Sequence, residues 1–539
     1  MKKWILVGIL VLGAVLRLIA LDKYPSGFTP DEASFGYDAY SILRTGKDQW
    51  GNAFPLVLKS FGDYKAPLYS YLDIPFVAIL GLNKIAVRLP NAVLGTLAIV
   101  VTYLLVRKIA GYKLSLIAAF LIAISPWHIM MSRGGFEANL TTFFLPLGIY
   151  LLLDKKLVLA ALALGLNLFT YHSAKLVTPL VLMIFIVIFR DEIFKIDRKK
   201  ILAGGLVFFV FLAVTGYTIF NGAGARVKDV SIFNGSLEEG FNERQVALAV
   251  GENSYLAKLI HNKYTVDIRK FVSNYVTYFS PSFLFTHGPA EYTYGMLAGE
   301  GVLYWFELPL LVLFFISFVK SRERKFFWLI LGWILVAPIP ASLATGLGYA
   351  GNRVVIILPA LSIALALGLV EGWKFLKNKY LAGVFIVFCL LCFLGFLENY
   401  FVVSPAVAAK GMLYGNLEAA NWLAQDVGKN TNIVLDKGIS EPHIYVAFAN
   451  KWDPAEYQGQ TKKWDFEARG LKWVDQLPEY SLGNYIFKTV RLEQYLQSRN
   501  TLLVARPDIF PSEKLKFKSI NYPDGKTALD FVMIDGHEK

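Results

Sequence analysis

Long apolar stretches, separated by short clusters of lysine and arginine, dominate the first 400 residues of the chain. A helix needs about 20 mostly apolar residues to cross the hydrocarbon core of a bilayer. The sequence offers eleven candidate spans: 4–21, 88–106, 114–131, 138–153, 157–173, 176–190, 201–220, 301–319, 326–343, 353–373 and 380–400. Only 18% of the residues are charged, against about 25% in soluble globular proteins. The chain is therefore predicted to be a mainly α-helical polytopic membrane protein with about eleven transmembrane helices.

The basic clusters fall on one side of this predicted arrangement. They are Lys2 and Lys3, Arg107 to Lys113, Lys155 and Lys156, Arg190 to Lys200, Lys320 to Lys325, and Lys374 to Lys379. Loops rich in lysine and arginine stay in the cytoplasm, so the N-terminus is predicted to be cytoplasmic. A short apolar segment, Pro67 to Gly81, would reverse this assignment if it were a full span. It is broken by Pro75, and we interpret it as a juxtamembrane or partly re-entrant helix.

The first span has two possible interpretations. Lys2 and Lys3 precede an apolar stretch, as in a secretory signal peptide. However, Arg17 interrupts the stretch and no small-residue cleavage site clearly follows it. A retained anchor in the plasma (inner) membrane is the favoured interpretation.

An odd number of spans places the C-terminal segment outside the cytoplasm. The predicted organisation is a membrane domain, 1–401, with external loops 22–87 and 221–300, followed by an extracytoplasmic α/β domain, 402–539 (the outer domain). Short β-like runs in the outer domain are Asn432 to Leu435, Thr501 to Val504 and Ala528 to Ile534, and Asn416 to Asp426 has a helical pattern. From residue 401 onward, 17 basic and 17 acidic residues balance, so the whole net charge of +13 lies among the apolar spans. Basic residues between spans orient a membrane protein, and nucleic acid is not the expected partner.

Two adjacent carboxylates, Asp31 and Glu32, follow Pro30 about ten residues beyond the first span. Neighbouring side chains point in different directions, so these two acids can have different functions. A partly desolvated carboxylate near the membrane surface would be a credible general base. The simpler interpretation is a helix start, because proline in the first turn followed by acids favours the helix dipole.

A second candidate group lies in the same external loop. Lys65 is flanked by Tyr64 and Tyr69 at the start of the doubtful apolar segment. A lysine at headgroup depth could pair with a lipid phosphate. Ordinary interfacial anchoring by lysine and tyrosine is the alternative.

Arg133 and Glu137 lie between the third and fourth predicted spans. They are four residues apart and would share one face of a helix. Charged groups at membrane depth are costly and indicate function by default. A structural ion pair between the two is the alternative.

The ordered set of these motifs resembles GT-C type polytopic glycosyltransferases, in the branch of glycosyltransferase family 39, protein O-mannosyltransferases and aminoarabinose transferases. The resemblance covers about the first 290 residues, and no single motif is specific. Its elements are Arg17-Leu18, Asp31-Glu32 with Gly36-Tyr37, Lys65-Ala66-Pro67-Leu68-Tyr69, Arg88-Leu89-Pro90 with Gly95, Ser125-Pro126, Arg133, Glu137, Tyr171-His172, and Phe279-Ser280-Pro281 with Phe283-Leu284-Phe285.

The resemblance implies transfer of a sugar from a polyprenyl-phosphate carrier to a protein, lipid or glycan acceptor at the outer face of the membrane. Asp31 matches the family's catalytic base, and Glu32 would orient Asp31 or the acceptor. Glu137 matches a second acidic position that is usually aspartate.

Among the basic positions, Lys65 matches a lysine that faces the carrier phosphate, although Ala66 replaces the first proline of the family's Lys-Pro-Pro pattern. Arg133 and Arg353 could stabilise the leaving phosphate, and a snorkelling role is the alternative for Arg353. His172 and His287 could contact substrate from the external side.

The sequence contains no convincing spacing of histidine and carboxylate ligands for a metal, so no metal or other cofactor is expected. The competing function is a polytopic transporter or flippase of a lipid-linked sugar. Transporters usually carry ionisable groups and broken helices at the midplane of repeated halves. Here the acids cluster at external span ends and no two-fold repeat is evident. An inactive scaffold with a partner-binding outer domain is a third possibility.

Overall fold

The computed structural model describes residues 2–220, 231–289, 292, 296–297, 299–320, 324–345, 350–374, 378–427, 431–511 and 513–534. Parts of the external loop 221–300 therefore lie outside the described residues. The α-helices of the first half are Lys2–Leu18, Pro30–Thr45, Leu68–Leu80, Lys84–Ala110, Tyr112–Ile124, Pro126–Ser132, Thr141–Leu153, Leu157–Leu168, Ala174–Ile188, Arg190–Ile193 and Arg198–Thr218. Those of the second half are Ser236–Ala249, Ser254–Ile260, Lys263–Thr277, Glu307–Lys320, Arg324–Val336, Ile339–Ser342, Gly351–Val354, Leu358–Gly372, Lys379–Glu398, Ser404–Val407, Asn416–Asp426, Pro442–Ala449 and Pro454–Thr461.

Helices occupy all eleven segments that hydropathy marks as spans. By length and composition, five of the described helices can cross a membrane, or six if the bent pair Tyr112–Ile124 and Pro126–Ser132 forms one span. Several others are apolar but shorter, including Leu157–Leu168 and Ala174–Ile188. The polytopic helical architecture is thus confirmed, whereas the count of eleven stays a prediction.

The doubtful segment 67–81 forms a helix of 13 residues, Leu68–Leu80, with Pro75 inside it. This helix packs against two others, Pro30–Thr45 and Lys84–Ala110. It follows a small antiparallel hairpin of β1 (Leu58–Lys59) and β2 (Tyr64–Lys65). The first external loop is therefore a folded unit above the start of the long helix Lys84–Ala110.

The outer domain contains a six-stranded mixed sheet of order β4-β5-β3-β6-β8-β7. Its strands are β3 (Asn432–Asp436), β4 (Glu479–Leu482), β5 (Tyr485–Lys488), β6 (Thr501–Ala505), β7 (Lys518–Asn521) and β8 (Thr527–Ile534). The central strand β3 runs parallel to β5 and β6, and the remaining pairs are antiparallel. All five residues of β6 are buried, as expected for a strand covered on both faces. The predicted C-terminal α/β domain is present.

The first external loop and the outer domain share one hydrophobic core. Phe28, Phe35 and Tyr37 of the loop are buried in the same cluster as Tyr445 and Phe448 of the outer domain. A second cluster lies among the membrane helices and includes Trp127 and Trp333. The outer domain is therefore packed onto the first loop, where the predicted catalytic acids lie.

Candidate active site

The helix Pro30–Thr45, called the first-loop helix below, begins at the two predicted acids. Thr29 is its N-cap: the Thr29 hydroxyl accepts the Glu32 amide at 3.2 Å, and the Glu32 carboxylate accepts the Thr29 amide at 3.0 Å. This reciprocal capping box satisfies two backbone donors at the helix start. Asp31 is partly exposed, whereas Glu32 is fully buried. The helix-start interpretation is therefore right for Glu32, and the two acids occupy different environments.

Glu32 is held in a buried ion pair with Arg88. The Arg88 Nε lies 2.7 Å from one carboxylate oxygen of Glu32, and neither side chain is exposed. The same carboxylate accepts the Gly135 amide at 3.0 Å. Burial alone would raise the pKa of Glu32, but the charge and hydrogen bond of Arg88 outweigh it and lower this pKa. Glu32 is thus an ionised group that ties the first-loop helix to two membrane-domain segments.

Asp31 has a free carboxylate by comparison. Within the described part of the chain, its side chain takes part in no hydrogen bond or ion pair with another residue. The side chain stands in the first turn of the first-loop helix, where the dipole favours an anion. Of the two adjacent acids, Asp31 is the one that can accept a proton from a substrate.

Lys65 lies beneath the first-loop helix and is 4% exposed. Its Nζ is 3.4 Å from an Asp38 carboxylate oxygen, donates to the Ser34 hydroxyl, and lies 4.1 Å from the centre of the Phe35 ring. The lysine is therefore engaged by the first-loop helix in this structure.

Asp38 is a buried acid that sequence reasoning missed. Burial raises its pKa to about 7, although Lys65 acts in the opposite direction. Asp38 follows Asp31 by seven residues, and this spacing on a helix could have indicated a shared face.

The aromatic neighbours of Lys65 have different positions. Tyr69 is buried and donates its hydroxyl to the Val87 carbonyl at 2.8 Å. The Tyr64 carbonyl lies 3.1 Å from His172 Nε2. The structure therefore brings His172 to the first loop and places Tyr69 in the interior.

Arg133 points toward the end of the first membrane helix. It is fully buried and donates to the carbonyls of Leu16 at 2.8 Å and Ile19 at 2.6 Å. Its guanidinium also lies 5.1 Å from the Phe401 ring centre. These contacts cover the C-terminal carbonyls of the helix Lys2–Leu18, a favourable position for a cation.

Arg133 and Glu137 do not share a helical face. The helix Pro126–Ser132 ends before Arg133, and a 3₁₀ helix begins at Glu137. Glu137 is partly buried, and its charge, like that of Glu32, acts on Tyr69. Glu137 therefore lies close to the acids of the first loop although the expected helical spacing is wrong.

The two remaining predicted residues, Arg353 and His287, lie on other segments of the chain. Arg353 is partly buried and donates to the Thr345 carbonyl at 3.2 Å. Its neighbour Asn352 donates to the Tyr171 hydroxyl at 3.3 Å, which connects this segment with His172. His287 is exposed and contacts the Thr286 hydroxyl at 2.8 Å. Within the described residues, no hydrogen bond joins His287 to the first loop.

An apolar cavity of about 390 Å³ has Val354, the residue after Arg353, in its wall. Val354 and Ile357 border it, together with aromatic residues such as Tyr278, Phe283 and Phe314. Such a lining suits a hydrocarbon chain rather than a polar ligand. In the described ranges, no group of three or more histidine, cysteine, aspartate or glutamate side chains could hold a metal ion.

Comparisons with known proteins give two matches in sequence. Residues 64–217 match the family model described as dolichyl-phosphate-mannose-protein mannosyltransferase. An uncharacterized protein of Aquifex aeolicus (strain VF5) is 30% identical over 220 residues, which are 39% of this chain and 42% of that protein. The match thus spans less than half of the relative's length.

Solved structures give similarity over a larger part of the chain. ArnT from Cupriavidus metallidurans, in the apo state, has a TM-score of 0.52 and 14% identity, and the match covers 98% of both chains. The same protein bound to undecaprenyl phosphate has a TM-score of 0.52 and 13% identity, and the match covers 99% of this chain and 98% of ArnT. The Archaeoglobus fulgidus oligosaccharyltransferase has a TM-score of 0.48 and 15% identity, and the match covers 83% of this chain and 61% of that enzyme. The resemblance to GT-C type glycosyltransferases is therefore confirmed, and the chain is a multi-pass membrane protein with the ArnT-like GT-C fold and a C-terminal sheet domain.

Proposed function

We propose that the protein transfers a sugar from a polyprenyl-phosphate carrier to a hydroxyl group of a protein, lipid or glycan acceptor on the extracytoplasmic face of the membrane. The proposal rests on the different environments of Asp31 and Glu32 at the start of the first-loop helix. Glu32 is neutralised by Arg88, whereas Asp31 is partly exposed and has no hydrogen-bond or ion-pair partner among the described residues. The matching family model is named for a dolichyl-phosphate-mannose-dependent transferase, and ArnT has been solved with undecaprenyl phosphate.

The proposed reaction is a single displacement with inversion. Asp31 takes the proton of the acceptor hydroxyl while the acceptor oxygen attacks the anomeric carbon. The bond between the anomeric carbon and the phosphate oxygen breaks, and the electron pair leaves with the carrier phosphate. The step requires a base and positive charge near the phosphate, and these can come from the protein without a metal or other cofactor.

The carrier would lie with its tail in the apolar cavity beside Arg353. The walls of this cavity are aromatic and aliphatic, which fits an isoprenoid chain. A phosphate at the end of the tail would then lie near the Arg353 guanidinium, which donates to the Thr345 carbonyl. We assign Lys65 a supporting part, because Asp38 already balances its charge. His172, next to Tyr64, would border the same space on the loop side.

Glu32 would act as a positioning residue. Its carboxylate is saturated by Arg88, Thr29 and Gly135, so it can fix the direction of the first-loop helix without touching substrate. Glu137 is a candidate for contact with the acceptor or donor, because it lies near the same loop.

The test is transfer by protein reconstituted in liposomes. Undecaprenyl-phosphate-linked, radiolabelled mannose, galactose and arabinose would serve as donors. Acceptors would be a peptide rich in serine and threonine and an extract of membrane lipids and glycans. Loss of a general base typically costs a factor of about 10² to 10⁴ in rate, which is the fall expected for D31N. Glu456, an exposed acid of the outer domain, provides the matched control E456Q. Near-normal transfer by D31N would reject the assignment.

The proposed sidedness can be tested in the same protein. A cysteine replacing Lys410, in a background without Cys389 and Cys392, should react with a membrane-impermeant maleimide from outside the cell. Reaction only after permeabilisation would place the outer domain in the cytoplasm and contradict the proposal.

A further inference from the structure

The helix Lys263–Thr277, called the amphipathic helix below, carries apolar and polar side chains on opposite sides. Its apolar residues recur at spacings of three and four positions, which places them on one side of a helix. The residues of this apolar face are Tyr264, Ile268, Phe271, Val272, Tyr275 and Val276. The residues of the opposite, polar side are Lys263, Asp267, Arg269, Lys270 and Asn274.

The polar side of the amphipathic helix is turned toward the protein. The Arg269 guanidinium donates to the Glu243 carboxylate at 3.2 Å and lies 3.4 Å from that of Glu239. Lys270 Nζ lies 2.5 Å from the other carboxylate oxygen of Glu239. Both acids belong to the helix Ser236–Ala249, which packs against the amphipathic helix. The charges of the amphipathic helix are therefore paired within the protein.

The apolar face points away from the protein. Tyr264, Ile268, Val272 and Val276 are 75%, 63%, 49% and 57% exposed. A helix on the surface of a water-soluble protein turns its apolar face inward and its charged face outward. The amphipathic helix has the reverse orientation, so the surroundings of its apolar face are expected to be apolar as well.

The amphipathic helix lies at the end of a membrane helix. The Tyr275 hydroxyl donates to the Leu335 carbonyl at 2.7 Å, and the Asn274 side-chain amide donates to the Ser342 carbonyl at 3.3 Å. Ser342 is the last residue of the segment Arg324–Ser342, which is long and apolar enough to cross a membrane. These two contacts place the amphipathic helix at the level where this segment leaves the hydrocarbon.

The apolar face continues into the protein interior. The rings of Phe271 and Tyr275 are stacked with their centres 5.7 Å apart, and the Phe279 ring follows at 5.3 Å from Tyr275. Tyr275 and Phe279 also line the apolar cavity of about 390 Å³ between the membrane helices. One apolar surface therefore extends from the exposed face of the amphipathic helix to the cavity.

We propose that the amphipathic helix is an interfacial membrane helix, with its apolar face among the acyl chains of the leaflet at this end of the membrane helices. Helices of this kind lie in the plane of the interface with the apolar face buried about 5–10 Å deep. The two tyrosines of the face suit the headgroup level, where tyrosine is enriched. Because Arg269 and Lys270 are paired with acids of the protein, the contact rests on apolar burial rather than on anionic headgroups. The inference does not depend on sugar transfer.

The experiment measures the surroundings of each face in the full-length protein, reconstituted in phosphatidylcholine liposomes. Single cysteines would replace Ile268 and Val272 on the apolar face, and Ser273, an exposed residue on the other side. The background lacks Cys389 and Cys392, and each new cysteine carries a nitrobenzoxadiazole fluorophore. Its fluorescence would be quenched either by lipids brominated on the acyl chains or by iodide on both sides of the membrane.

Two reference variants define the expected signals. V384C is exposed on a membrane helix and reports lipid, whereas E456C is exposed on the outer domain and reports water. The labels of I268C and V272C should lose as much fluorescence to brominated lipid as that of V384C and be protected from iodide. The label of S273C should be quenched by iodide, as that of E456C is.

Each other pattern of quenching would overturn the proposal. Quenching of I268C and V272C by iodide alone would place the apolar face in water. Quenching by neither reagent would mean that protein, such as a second copy of the chain, covers the face. Equal quenching of I268C and S273C by brominated lipid would contradict the orientation. Thermal unfolding at the wild-type temperature identifies folded variants, and V276C, on the same face, replaces any variant that fails this check.

Discussion

Replacing Arg88 with methionine would leave the Glu32 carboxylate buried without its cation. Arg88 donates to Glu32 at 2.7 and 3.2 Å, and to the carbonyls of Leu21, Pro25 and Gly27 at 3.0, 3.0 and 2.8 Å. Removing one partner of a buried ion pair costs about 3–5 kcal/mol. In R88M, Glu32 keeps its two backbone amide donors, but three backbone carbonyls lose the hydrogen bonds that Arg88 donates. We therefore expect R88M to lower the free energy of unfolding by about 4 kcal/mol, the middle of that range.

The free energy of unfolding would be measured by denaturant titration in detergent micelles, with tryptophan fluorescence as the signal. The double variant E32M/R88M should be less destabilised than R88M, because no unpaired charge remains buried. Lys325 and Glu192 form an exposed pair, 48% and 49% accessible, and provide the control K325Q. An exposed pair contributes about 0.2–1 kcal/mol. If R88M lost as little stability as K325Q, or if E32M/R88M were less stable than R88M, the interpretation of Glu32 and Arg88 as a buried ion pair would be refuted.

Two further predictions concern the first loop. In the folded protein the pKa of Asp38 is raised from 3.8 to about 7, so the wild type should lose stability as the pH rises from about 4 to 7. Unfolding measured as a function of pH should show no such slope for D38N. Equal slopes for the two proteins would contradict the raised pKa. Gly27 has φ 86°, and a Cβ there would overlap the Met412 carbonyl, so G27A should lose at least about 1 kcal/mol of stability. The exposed helical control G459A has open space around its Cβ and should be neutral or slightly stabilising, and a neutral G27A would argue against the close approach.

Local pattern predicted much of the fold. Each of the eleven segments that hydropathy marked contains a helix, because burial in lipid or protein requires continuous apolar stretches. In the outer domain, the runs at 432–435, 501–504 and 528–534 became β3, β6 and β8 almost to the residue. The strands β4, β5 and β7 were missed, since their alternating burial gives a weaker apolar signal. Short helices such as Leu157–Leu168 also explain why hydropathy alone did not settle the number of spans.

The site was less predictable because its contacts join distant parts of the chain. The acids at positions 31 and 32 were found from a local signal, the proline and carboxylates of a helix start. The partner of Glu32 is 56 residues away, and no spacing rule identifies it. The Arg133 guanidinium donates to the carbonyls of Leu16 and Ile19, more than 100 residues away, and no spacing rule predicts these contacts.

The close fit between the first loop and the outer domain has a consequence for protein engineering. Gly62 lies so near the Lys472 carbonyl that a Cβ would overlap it, and Gln458 donates to the Ser41 hydroxyl at 3.1 Å. Chimeras that exchange only the outer domain between relatives would therefore join mismatched surfaces, even with every membrane helix intact. The first external loop and the outer domain should therefore be exchanged together, as a single unit.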